Sequence, residues 1–206
     1  MNKIIKPKIK NLEIKELVIS DDIISGNFQN QELKIISKDL KFDECVFEKL
    51  DSLNSNISNS SLIDVIFKDS DLSNTNLELS LFRRIIFEEC KLIGVDFSSS
   101  NLNDVSFINC KLDYSNFSNS KFKGVLFDNC DLINTCMNNC ELQEVHFEKS
   151  NLTNIEFLNT SLKDIDLSNS LINKINVLNK DLKGCIVNAE EALYLSLGLG
   201  IIIKDR

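Results

Sequence analysis

The sequence predicts an all-β solenoid, a four-sided tube of very short strands, and three patterns predict it. From Ile57 to Val187 every fifth residue is apolar without exception. An α-helix has a period of about 3.6 and a strand a period of 2, so neither keeps a five-residue beat on one side; the chain must turn a corner every five residues. Reading every fourth of these apolar positions gives Phe47, Phe67, Phe87, Phe107, Phe127 and Phe147, then Leu167 and Val187, so twenty residues complete one coil. Two residues after each apolar position stands, in most repeats, Asn, Asp or Gly, types that tolerate the left-handed backbone of a tight corner. Self-similarity at so short a period is the mark of a solenoid.

The elements follow in order. Residues 1–26 are out of phase and begin with Lys3, Lys6, Lys8 and Lys10 around the single proline, Pro7; they are expected to form a flexible or loosely packed, solvated leader. Phe28 and Leu33 are five apart but one residue off the main beat, which predicts an irregular first coil capping the open end of the tube. Phe42 and Phe47 are in register, and Ser52 breaks the apolar column beside Leu50 and Leu53. Let i denote the apolar position. With i and i−2 both inward, the tube has room for large residues at i and mostly small ones at i−2. Thus Val65, Ile85, Val105, Val125, Val145 and Ile165 accompany the Phe column, whereas another side carries Ser70, Cys90, Cys110, Cys130, Ser150 and Ser170. No insertion disturbs the phase from 57 onward, and the tube spans 27–187. The segment 188–206 then changes period. Asn188 reads as an N-cap and Glu191 as a capping-box acid; Ala189, Ala192, Leu193, Ser196 and Leu197 give a short helix ended by Gly198. Leu199 and Gly200 lead into Ile201, Ile202 and Ile203, a strand signal.

Composition narrows the function classes. The length of 206 residues is one domain, enough for a continuous core without staples. There is no apolar N-terminal signal segment, and six of seven cysteines (Cys45, Cys90, Cys110, Cys130, Cys140, Cys185) fall at i−2 as small inward fillers. Together these point to a reduced, cytoplasmic protein. The longest apolar stretch, 192–203, is too short to span a membrane. Residues 41–187 carry 22 acidic and 14 basic side chains, a balance that disfavours direct nucleic-acid binding and favours a basic partner. Cys130, Cys136, Cys140 and His146 have workable linear spacing for zinc, but the coil points Cys130 and Cys140 inward on opposite sides and Cys136 and His146 outward on the other two. His146 is the only histidine, and no Ser or Cys stands beside a second base. Gly94, Gly124 and Gly184 are isolated corner glycines rather than a phosphate loop. The expectation is no enzyme, no metal and no cofactor.

The repeat unit, seen as SNLTN-IEFLN-TSLKD-IDLSN from Ser150 to Asn169, resembles the pentapeptide-repeat proteins, which implies a right-handed quadrilateral β-helix over roughly 40–187. The tail NKDLKGCIVNAEEALYLSLGLGIII, 179–203, looks like the ending of the Qnr quinolone-resistance proteins and their mycobacterial relatives, in its loop-free branch. That resemblance implies a homodimer through 188–206, with Leu193, Tyr194, Leu197, Ile201 and Ile203 as interface residues. A monomeric cap folded over the last coil is the other reading of the same apolar tail. The resemblance further implies DNA gyrase or topoisomerase IV as partner and protection from quinolones as effect. Seven coils rising about 4.8 Å each make a rod of about 34 Å, and two rods end to end match roughly 20 base pairs of duplex. An acidic rod of that size suits DNA mimicry. Its candidate contacts are the acids of the Phe-column face, Glu48, Asp69, Glu88, Glu89, Asp128, Glu148 and Asp166, set against Lys49, Lys68 and Lys149. The opposite face has Glu78, Asp96 and Glu156 without a basic residue, and the face of Leu62 and Phe82 is balanced. The alternative is a rigid scaffold or effector with an unrelated protein partner.

Overall fold

A computed structural model describes residues 4–10, 12–18, 24–34, 36–198 and 200–204; Lys3 of the leader and Leu199 of the tail lie outside them. Seven strands, β1 (Ile24–Gln29), β2 (Lys41–Glu48), β3 (Ser61–Lys68), β4 (Leu81–Glu88), β5 (Asn101–Ile108), β6 (Lys121–Asp128) and β7 (Glu141–Glu148), form one all-parallel sheet in sequence order. Register from β2 onward is offset by twenty residues: Phe47 lies beside Phe67, and Phe67 beside Phe87. Each of β2–β7 wraps a corner, because its fourth residue is left-handed: Glu44, Asp64, Arg84, Asp104, Gly124 and Glu144 all have positive φ. One strand therefore serves two sides of the tube. The other two sides are joined by single parallel bridges, as in Asp71↔Lys91 and Asn76↔Asp96.

The corners are sustained by local chemistry. On the bridged sides an Asp or Asn at i−1 accepts the N–H of i+1, as Asp71 does from Ser73 at 3.0 Å and Asp96 from Ser98 at 2.9 Å; this is the side-chain turn these residue types favour. At i−2, hydroxyls replace the missing backbone acceptor. Ser100 Oγ accepts the Ser80 N–H at 3.0 Å and Ser120 Oγ accepts that of Ser100 at 3.0 Å. Where position i−2 is Ser or Thr it is thus small for room and hydroxylated because an N–H buried at a corner would otherwise lack a partner.

The core is one column of rings meeting another. Phe28, Phe47, Phe67, Phe87, Phe107 and Phe127 stack in steps of 4.9 to 5.1 Å. Phe97 and Phe117, from the opposite side, stand edge-on to them, with the Phe107 and Phe117 centroids 6.1 Å apart. Ser52 is fully buried and its hydroxyl lies 3.2 Å from Thr75 Oγ1. Leu50 beside it is also buried, so that repeat exchanges the usual sizes at i and i−2 and the tube stays filled. The first coil is irregular: Ile24 pairs with Phe42, two residues short of the full offset, and Phe28 with Phe47, one short, whereas Ile36 pairs with Asn56 at the full offset of twenty. Phe28 and Leu33 are buried nonetheless.

Candidate interaction surfaces

The outer face over the Phe column consists of three columns repeating once per coil. Glu48, Lys68, Glu88, Ile108, Asp128 and Glu148 are successive register neighbours. Beside them run the left-handed corner residues Lys49, Asp69, Glu89, Asn109, Asn129 and Lys149. The third column, Val46, Ile66, Ile86, Ser106, Leu126 and His146, is mostly apolar and half-buried. Six of the seven candidate acids therefore fall into two groups. Glu48, Asp69, Glu88 and Glu89 are interleaved with Lys49 and Lys68, and Lys68 Nζ stands 3.3 Å from Glu88 Oε2. Asp128 and Glu148 adjoin each other in register, with Lys149 on the corner beside Glu148, and Ile108 separates them from Glu88. Asp166 lies one coil beyond His146. Its carboxylate accepts the N–H and hydroxyl of Ser168 at 2.9 and 2.6 Å, bonds that hold it below the ordinary carboxylate range. The apolar column between the acids escaped the sequence reading, which counted charges on each face and not the i−1 residues as a set. On the opposite face two of the three acids serve the fold: Asp96 also accepts Asn116 Nδ2 at 3.2 Å, and Glu156 accepts Asn138 Nδ2 at 2.8 Å.

The tail forms α1 (Ala189–Gly198). Asn188 Oδ1 caps it by accepting the Glu191 N–H at 2.9 Å. The Glu191 carboxylate turns to the tube instead of back to the cap, accepting the Ile172 N–H at 3.4 Å, so it ties the helix to the coil. The helix ends at Gly198, as the sequence implied, and Gly200 caps it: Gly200 has φ of +76°, its N–H reaches Leu197 O at 3.0 Å, and the Ile201 N–H reaches Ser196 O at 3.1 Å. That pair of bonds is a Schellman cap, whose left-handed residue follows the last helical turn. One expectation needs correction: Ile201, Ile202 and Ile203 form no strand, since a β-ladder needs a neighbouring strand and the described tail is given none. Leu195 packs against the core, while Leu193, Leu197, Ile201 and Ile203 are 54%, 59%, 51% and 44% exposed and Tyr194 is 36% exposed. Tyr194, Leu195 and Leu197 line a cavity of about 250 Å³ with Ile175, Val177 and Leu182 of the last coil.

The leader is placed against the tube rather than free of it. Residues 4–10 run over the corner column of β2–β5: the Ile5 N–H donates to Asp104 Oδ1 at 3.1 Å, the Lys8 N–H to Asp64 Oδ1 at 2.7 Å, and Lys10 Nζ lies 3.7 Å from Glu44. Asp64 is 5% exposed and is gripped by both Arg84 Nε, at 2.6 Å, and Arg84 Nη2. Burial alone would raise its pKa, but the hydrogen bonds from Arg84 and Lys8 outweigh it and hold the carboxyl below its ordinary value. Farther along, Ile14 bridges Asn27 and Leu17 packs on the core.

Five of the cysteines, Cys45, Cys90, Cys110, Cys130 and Cys140, are buried structural fillers, whereas Cys185, expected inward, and Cys136 are half-buried. Cys140 Sγ donates to Phe117 O at 3.0 Å and Cys130 Sγ to Phe107 O at 3.4 Å, so the thiol stands in for the i−2 hydroxyl. Burial pushes Cys45 and Cys140 up to about 12, which removes their nucleophilic form at neutral pH. Among the described residues no three His, Cys, Asp or Glu side chains gather as a metal site, and no helix is long and apolar enough to cross a membrane.

Several solved structures are similar to this chain at low identity. QnrB1, a plasmid-mediated fluoroquinolone resistance protein, is 17% identical in its full-length form, with 85% of this chain and 100% of that one covered and a TM-score of 0.35. HetL, a pentapeptide repeat protein involved in heterocyst differentiation regulation in the cyanobacterium Nostoc sp., is 15% identical, with 79% and 87% covered and a TM-score of 0.41. A pentapeptide repeat protein of the Arabidopsis thaliana thylakoid lumen is 16% identical, with 63% and 70% covered and a TM-score of 0.24. At these values each is a likeness of fold. Comparison with curated proteins gives no match. The model of the pentapeptide repeat region matches residues 38–117, 80–129 and 120–197, and with the twenty-residue register and left-handed corners already in place, the chain belongs to the pentapeptide repeat family.

Proposed function

We propose that the protein is a cytoplasmic, non-catalytic binder of type II topoisomerases, DNA gyrase or topoisomerase IV, that acts as a homodimer and protects the enzyme from quinolones by occupying its duplex-binding surface. The observation that carries this reading is the uninterrupted acidic rod. The coil spacing is constant from Phe28 to Phe127, and Asp128 and Glu148 are register neighbours on its outer face. The tail's resemblance to the Qnr endings and the resistance role of QnrB1, whose fold is alike, support the choice of partner. Joining two rods through the exposed tail residues Leu193, Tyr194, Leu197, Ile201 and Ile203 would double the length available and bury an apolar surface that is otherwise wet.

A second reading is a rigid scaffold for an unrelated protein, favoured by the Lys49 and Lys68 side chains that interrupt the N-terminal group of acids. Binding to purified gyrase and topoisomerase IV separates the two. In the mimic reading affinity falls with added salt, and reversing Glu88, Glu89, Asp128 and Glu148 to Lys weakens it at least about tenfold while the melting curve is kept. Binding to neither enzyme supports the scaffold; binding that the four reversals leave untouched removes this face as the contact.

A further inference from the structure

Residues 4–10 cross the coils instead of joining them, and both of their backbone donors end on side-chain carboxylates. Three residues of extended chain rise about 9 Å, and two coils rise about 9.6 Å. Backbone N–H groups three residues apart, those of Ile5 and Lys8, thereby meet carboxylates two coils apart, those of Asp104 and Asp64. Arg84, on the coil between them, fixes Asp64. On the next corner a Cβ at Gly124 would stand 3.2 Å from Asp104 Oδ1, so glycine there keeps that carboxylate uncrowded. Ile4, Pro7 and Ile9 are half-buried while Lys6, Lys8 and Lys10 are exposed, with Lys10 near Glu44. The groove thus uses backbone N–H groups at a three-residue period, apolar side chains and lysine charge, none of which requires the occupant to be covalently attached.

We propose that this corner groove, over Glu44, Asp64, Arg84 and Asp104, is a docking site for an extended, lysine-bearing segment of a protein partner, and that residues 4–10 are its resident occupant, which must lift before that segment binds. The acidic body of the tube gives such a segment its long-range attraction, and the two carboxylates give it register. The inference holds for any partner with a segment of that chemistry and does not depend on the topoisomerase reading.

The test uses the full chain beside its Ile5→Pro/Lys8→Pro variant, which removes the two donors from the arm and leaves every tube residue in place. The probe is a labelled peptide of residues 4–10, followed by fluorescence anisotropy, with a control peptide N-methylated at the nitrogens corresponding to Ile5 and Lys8. The control keeps all side chains and charges. The unmodified peptide is expected to bind the variant with an apparent affinity at least about tenfold higher than for the natural chain, whose own arm competes, and N-methylation should abolish the gain. Equal binding of both peptides, equal binding to both chains, or no binding to the variant overturns the proposal. Should the double variant fail to fold, Asp104→Ala in the full chain provides the second reading: hydrogen exchange across residues 4–10 rises at least about tenfold if the groove holds the arm, and unchanged exchange overturns it.

Discussion

Tyr114 sits at a left-handed corner with φ of 59° and is 66% exposed. Its corner neighbours one coil away are Gly94 and Asn134, both with positive φ, and Asn134 already accepts Asn154 Nδ2 at 3.1 Å. A bulky residue in this conformation costs about 1 kcal/mol relative to one that tolerates it. Tyr114→Asn relieves the strain and extends the amide ladder by one rung, so the melting temperature is expected to rise by an amount worth about 1 kcal/mol; a fall would show that the ring stabilises the corner. Such residues explain why the corner rule was readable only as a majority: Leu79, Arg84, Glu89 and Tyr114 break the Asn/Asp/Gly preference yet adopt the same backbone, because the ladders on both sides dictate it. Asp64 gives a second prediction. Its folded pKa lies below the ordinary 3.8, so its contribution is fully present above that value and is lost only as pH falls through the lower, folded value. The Lys8 amide resonance should accordingly stay constant from neutral pH down to about 4 and move only below it; a transition well above 4 would contradict the buried Asp64–Arg84 pair as the anchor.

At the scale of elements, the regular coils were legible because each five-residue unit repeats the same instructions: a large inward residue, a small one before it, and a corner after it. The ends were not, because there the controlling partner is distant in sequence. The spacing placed the end of α1 at Gly198, but only the bonds from Gly200 to Leu197 and from Ile201 to Ser196 show that Gly200 is its left-handed cap. Charge alone made the leader look solvated, whereas its donors find Asp64 and Asp104, a pairing no local pattern announces. Ile201–Ile203 have strand propensity without a strand to pair with, which is the condition a second chain would remedy. Changing Leu193 and Leu197 to Lys should therefore convert a dimer to monomers in sedimentation velocity, since charges at a two-fold contact face their own copies. A double variant that still sediments as a dimer would place the contact elsewhere and leave the tail as a cap over the last coil.

For the whole molecule, the Phe column ties shape to function. Rings stacked at about the β-strand spacing make the tube a rigid rod of fixed pitch, and a rigid acidic rod needs no folding on contact, so little ordering entropy opposes binding. The fold followed from periodicity, which the chain carries in every coil. The partner rests on the tail and on a charge distribution that the structure divides into two acidic groups with an apolar stripe beside them, an arrangement visible only once the register aligns residues twenty apart. The most direct test is cleavage-complex accumulation at a fixed quinolone concentration as the protein is titrated against gyrase or topoisomerase IV from the same organism. The account predicts that cleaved DNA declines with increasing protein, with no ATP, metal or catalytic turnover required of the protein itself. Cleavage undiminished at a large molar excess over both enzymes would contradict it.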